Sequence, residues 1–291
     1  MKEVKDKVYS EVVEVQPWEF AEKSVLPNAV FKRSYEIALK YLACYLWPLL
    51  NRVKDKRANF EPVRMYLDFS DREVVCPEHS RLLFHTRINT IFNRRMFKFE
   101  TDIFFSDYPF EKVANCIIEL RETLNIDTKD WLGHFTEVGQ PIQSEFKKFL
   151  QEEPSGYKGL NVCKKLKSIE AGSSWIGPVE TKHTVIPDYC EFANMFAFMC
   201  FAGPVTSIGK HAILKWSKEK GIKPYPEFLQ KKMGYQNYKL SVDTKRALFL
   251  NDRFVVETYY MLSGGNHYLK HEIYLEKPRL LSMVLLEEYI A

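Results

Sequence analysis

Paired cysteines are missing from this sequence. Its six cysteines, Cys44, Cys76, Cys116, Cys163, Cys190 and Cys200, are scattered, and no CxxC occurs. Cys76-Pro-Glu-His79 is an isolated pair with no second half at zinc-ligand spacing. Glycine-rich phosphate loops are absent too: there is no GxGxxG and no Walker loop, and no GxSxG elbow marks a serine hydrolase. No apolar run is long enough to span a bilayer. The longest uncharged stretch, Phe192 to Gly209, is broken by Gly203-Pro204 after about half of the ~20 residues a spanning helix needs. The N-terminal MKEVKDKVYSEVVEV is charged and lacks the apolar block of a signal peptide. No internal repeat and no low-complexity tract is visible in the residues.

What is present describes a globular chain. Of 291 residues, 46% are hydrophobic and 27% charged, with 21 Phe and 16 Tyr to fill a core. The net charge of +4 permits an anionic partner without demanding one. Unpaired cysteines in apolar runs suit a reducing compartment, cytoplasmic or nuclear, with no membrane and no disulfide-linked partner.

The stretch from Ala171 to Gly221 organises the reading. Pro187-Asp188 suits a helix start, and Tyr189, Phe192, Met195, Phe196, Met199 and Cys200 recur at helical spacing. Gly203-Pro204 stops that helix, and a second runs from Thr206 or Ser207 to Gly221. The expectation is a buried central helical hairpin. Before it, Val8 to Val15 reads as a strand and Asn28 caps a helix carrying Phe31, Tyr35, Ala38 and Leu42. RVKDKR (Arg52–Arg57) closes that helix as a solvated end. Residues 63–69 alternate as a strand, and 81–105 form a hairpin whose polar face gathers His85, Arg87, Asn89, Lys98, Glu100 and Asp102. Helical spacing of Val113, Ile117, Leu120 and Leu124 predicts a helix after Pro109, and LLSMVLLEEY predicts a last one. Pro154-Ser155-Gly156 reads as a linker dividing residues 1–155 from 156–291, unless one core is continuous. The fold class expected is α+β, antiparallel β-hairpins packed with helices.

The hairpin 253–276 permits a register. With Gly264-Gly265 as the turn, Phe254, Val256, Thr258 and Tyr260 share a core face with Leu269, His271, Ile273 and Leu275. On the other face Glu257 lies opposite Glu272, two carboxylates that need a cation, a shared proton, a metal or solvent between them. His267 and His271 spell HxxxH, but in a strand they stand ~13 Å apart, too far for one ion.

Two functional readings follow. The first is an intracellular binding protein whose partner is a nucleic acid or another protein, with no cofactor. Arg94 and Arg95 at a hairpin tip, with Phe97 and Lys98, would reach phosphates and stack bases. Lys164, Lys165, Lys167, Lys231 and Lys232 could extend that surface. The second is a metal-dependent phosphodiester hydrolase. Glu180-Thr181-Lys182 is similar to the Glu-x-Lys of restriction-endonuclease-type nucleases, which hold Mg²⁺ or Mn²⁺ and a water. Glu170 would have to be the upstream acid. The Pro-Asp of that pattern is absent there, and Pro187-Asp188 follows the triplet instead.

Overall fold

A computed structural model describes residues 8–16, 20–21, 24–25, 27–41, 58–69, 81–91, 96–107, 111–124, 157–170, 174–187, 206–221 and 238–290. Among these are twelve strands and three helices. In the first half β1 (Tyr9–Glu14) is followed by the short β2 (Phe20–Ala21) and β3 (Ser24–Val25) and by α1 (Pro27–Tyr41). Then come β4 (Ala58–Phe69), β5 (Arg81–Ile91), β6 (Met96–Phe105) and β7 (Lys112–Leu124). The second half runs α2 (Val162–Glu170), β8 (Ile176–Thr184), α3 (Thr206–Lys220), β9 (Tyr238–Thr244), β10 (Arg253–Ser263), β11 (Asn266–Leu275) and β12 (Leu280–Tyr289).

Ten strands form one sheet in the order β1-β5-β6-β7-β4-β9-β12-β11-β10-β8, each pair antiparallel. Read inward from its own edge, each half has the same plan. An edge strand (β1 or β8) leads through a helix (α1 or α3) to a central strand (β4 or β9), and a three-stranded meander fills the gap. The sequence shows no repeat, but the topology does. The halves join at β4 and β9, where Arg64 faces Asp243 and Asp68 faces Lys239.

The expected α+β class, with hairpins packed by helices, is therefore corrected to one large sheet with few helices. Two predicted helices are strands. Residues after Pro109 form β7, and LLSMVLLEEY is β12. Both lie inside the sheet, where apolar residues are needed on both faces and the period of two is lost. On β12, Met283 and Leu285 join the core beneath α1 and α3, whereas Val284 and Leu286 join a second core beneath α2. Of the central hairpin, the second arm is α3, ended by Gly221 at φ +63°. The first arm, with Phe192, Phe196 and Met199, lies outside the described residues. The last hairpin has the expected register, Glu257 opposite Glu272 and Leu262 opposite His267, around Gly264 and Gly265 at positive φ.

Between the halves, the described residues 157–170 lie on the outer face, away from α1 and α3. Glu119 on β7, fully buried, receives the Tyr157 hydroxyl (2.7 Å), the Leu160 N–H (2.8 Å) and Arg64 (3.0 Å). Lys165 pairs with Glu288 further along. Replacing Glu119 by alanine removes a shared acceptor from three donors, one of them charged. It should cost about 3 kcal/mol in denaturant unfolding and speed proteolysis around residues 157–161.

Candidate functional site

Among the described residues, a buried imidazole, carboxylate and ammonium of the helix-bearing face gather under the first turns of α3. His271 on β11 and Glu287 on β12 are both 0% exposed. His271 Nε2 lies 3.0 Å from Glu287 Oε1, and its Nδ1 lies 3.0 Å from Thr258 Oγ1 on β10. The other carboxylate oxygen of Glu287 takes three further contacts: Lys210 Nζ of α3 at 2.6 Å, and the hydroxyls of Tyr238 and Tyr289 at 2.9 Å each. Lys210 also lies over both tyrosine rings, 6.0 and 5.5 Å from their centroids. Three adjacent strands thus present hydroxyl, imidazole and carboxylate in a line, and a helix closes it with an ammonium.

The electrostatics are self-consistent. Burial alone would raise the Glu287 pKa, but the Lys210 charge and the His271 hydrogen bond outweigh it and hold the group at about 2. The ionised carboxylate only accepts, so His271 Nε2 must carry a proton; in the neutral ring Nδ1 then accepts from Thr258. Gly209 lets α3 come this close. A Cβ there would stand 2.4 Å from Thr258 Oγ1 and 2.8 Å from His271 Nδ1. The same contact seals the Thr258 hydroxyl, leaving no room for a substrate carbonyl beside it. The row is built to hold α3, not to attack.

The first half carries an uncharged counterpart. Thr86 and Thr101 are the buried cross-strand pair, 2.9 Å apart, and the next residue across is Cys116, where the second half has Leu285. Ser34 of α1, fully buried, sits by the Cys116 thiol, whose pKa burial pushes up to about 12.

The catalytic residues proposed from sequence each have another partner. Glu180 and Lys182 stand exposed on β8. Glu180 pairs with Arg279 (3.2 Å), and Lys182 with Glu276 (3.4 Å). Glu170 accepts the indole N–H of Trp175 (2.7 Å). Among the described residues no three His, Cys, Asp or Glu side chains are placed to hold a metal ion. Arg279 also pairs with Glu257, and Lys270 with Glu272 (3.2 Å), so the opposed carboxylates are compensated by cations. Phe97 (4% exposed) and Lys98 (5%) are buried; Lys98 pairs with Glu100 and lies over Tyr157. Arg94, Arg95, Lys231, Lys232, Cys76 and His79 lie outside the described residues. His267 bonds Tyr260 (2.9 Å), separately from His271.

Sequence reasoning placed His271 on the core face but missed its partner. A buried imidazole demands one. Glu287 was hidden because its segment read as a helix.

No family model matches the sequence, and no curated protein does. Solved structures match over essentially the whole chain. An acyl-ACP thioesterase from Bacteroides thetaiotaomicron superposes with a TM-score of 0.62 at 9% identity, covering 98% of this chain and 99% of that one. A Lactobacillus plantarum protein assigned as an oleoyl thioesterase gives 0.63 at 8%, covering 100% of both. The 12:0-ACP thioesterase of Umbellularia californica gives 0.61 at 11%, covering 97% and 94%. At these identities the likeness speaks of fold. The expectations of a nucleic-acid- or protein-binding protein and of a metal-dependent nuclease are overturned by it, since the neighbours are thioesterases. The chain has their hot-dog fold, a sheet wrapped about a helix, here twice over.

Proposed function

We propose that this protein is a hydrolase of acyl thioesters, adding water across the C–S bond to give a carboxylic acid and a free thiol. The observation that carries the reading is the match of the whole two-unit architecture to three thioesterases at TM-scores above 0.6. Two local features support it. Neither α1 nor α3 has an acidic residue in its first turn, so their N-terminal N–H groups keep their positive field for a developing oxyanion. Thr206, the first residue of α3, is 3% exposed, in a low-dielectric setting where such donors act most strongly. An intracellular location fits this reading, because Cys116 and Cys163 are free thiols.

The test is thiol release, followed with a chromogenic disulfide, from acyl-CoA and acyl-carrier-protein thioesters running from acetyl to oleoyl. Hydrolysis above the spontaneous rate, selective for chain length, is the expected result. No release from any chain length on either carrier would overturn the assignment.

A further inference from the structure

Two copies of one folding unit allow a comparison inside the molecule. In the first, α1 is held by an apolar face and by hydroxyl and thiol neighbours: Ser34, Thr86, Thr101 and Cys116. In the second, the same place beneath α3 holds an ammonium, a carboxylate and an imidazole, all but Lys210 at 0% exposure. Burying such a row costs desolvation that an apolar row of equal volume avoids. The first unit shows that this fold secures its helix without it. The contacts are also local: Gly209 and Lys210 lie one turn into α3, so the row grips the beginning of the helix and not its middle.

We propose that Lys210, Glu287 and His271, with Thr258, are positioning residues that fix the angle and depth of the first turns of α3 for the thioester reaction in the second unit. This rests on the hydrolase reading above. Glu287 is the hub: its two oxygens collect His271, Lys210, Tyr238 and Tyr289, from α3 and two strands besides its own. Lys210 carries the bond from α3 into this hub, and Gly209 packs on Thr258 and His271 beside it, so shifting α3 breaks the ion pair and opens that contact together. His271 acts through Glu287 and Thr258, and touches no substrate.

The experiment uses the full chain with Lys210→Met, Lys210→Arg and Tyr289→Phe. Steady-state hydrolysis is measured across pH, with amide hydrogen exchange at residues 206–212. The expected result for folded Lys210→Met is a kcat lowered roughly tenfold or more, as misplaced reacting groups produce, with KM little changed. The limbs of the pH profile stay where they are in the wild type, exchange in the first turns of α3 quickens, and Lys210→Arg restores most of the rate. A folded Lys210→Met enzyme with unchanged kcat overturns the proposal, as does a displaced limb of the pH profile, which would make the row part of the proton transfer. If Lys210→Met does not fold, Tyr289→Phe takes its place in the same comparisons. If the wild-type protein hydrolyses no thioester, the hydrolase reading fails by itself and exchange decides. Quickened exchange then keeps the positioning of α3, and unchanged exchange removes it.

Discussion

Glu287→Gln should be among the most destabilising conservative substitutions in the chain, costing about 3–5 kcal/mol in equilibrium unfolding. The side chain is 0% exposed, and its charge answers that of Lys210, which is itself largely buried. A glutamine keeps the shape but leaves the ammonium without a counter-charge, and its NH₂ meets donors where an oxygen met them. The effect has a pH signature. The carboxyl is held at about 2 in the folded state against an ordinary value of 4.5. Folding therefore favours the ionised form, and the stabilisation is complete above about 4.5. It declines as the pH falls toward 2, where the group protonates in the folded chain as well. The stability gap between wild type and Glu287→Gln should be widest near neutral pH and should close across that window. The facing groups, Lys210, His271, Tyr238 and Tyr289, are common to both proteins, and taking the difference removes the other carboxylates. A gap constant from pH 6 to pH 2.5 would contradict the assignment of the charge.

Gly209→Ala should also destabilise the chain, by less and for a steric reason alone. In a helix, alanine ordinarily gains about 1 kcal/mol over glycine. Here the added methyl would stand 2.4 Å from Thr258 Oγ1 and 2.8 Å from His271 Nδ1, so α3 must lift or the row must part. Overpacking of this kind costs about 1–3 kcal/mol, which reverses the helix preference. The cause can be isolated. Thr258→Ala removes the closer obstacle, so Gly209→Ala with Thr258→Ala should cost less than the sum of the single changes, a coupling readable in a double-mutant cycle. Thermal unfolding of the four proteins decides it. A Gly209→Ala protein at or above wild-type stability would mean that α3 does not sit at this depth.

The parts of the fold legible in the sequence were those where one face is wet. Residues 63–69 alternate cleanly, and the turn at Gly264-Gly265 fixes ten cross-strand partners without ambiguity. The interior strands were misread for a physical reason. β12 is covered on both sides and β7 in part, and a run such as Ser282–Tyr289, every residue buried, contains helical spacing as readily as alternation. The site suffered from the same error. With β12 taken for a packed helix, Glu287 was not set beside His271, which kept a core position with its local partner unidentified. The surface candidates were drawn from basic residues interleaved with aromatics. Lys98 looked like a nucleic-acid contact because its aromatic neighbours suggested stacking, yet those neighbours are core and the lysine lies against Tyr157 and Glu100.

The seam between β4 and β9 bears on how such a chain can exist at all. In each five-stranded half the central strand would be a bare edge with unmet N–H and C=O groups, an open template for any passing strand. Joined, each half is the other's lid, and the two ends left over are β1 and β8. β8 is guarded by Glu180, Lys182 and a proline, Pro178, features that discourage further pairing. Fusing two units in one polypeptide thus puts the most adhesive line of the fold at a place where its partner is always within reach, at a concentration no separate subunit could match. It also leaves the two interiors free to differ, one holding hydroxyls and a thiol and the other charge.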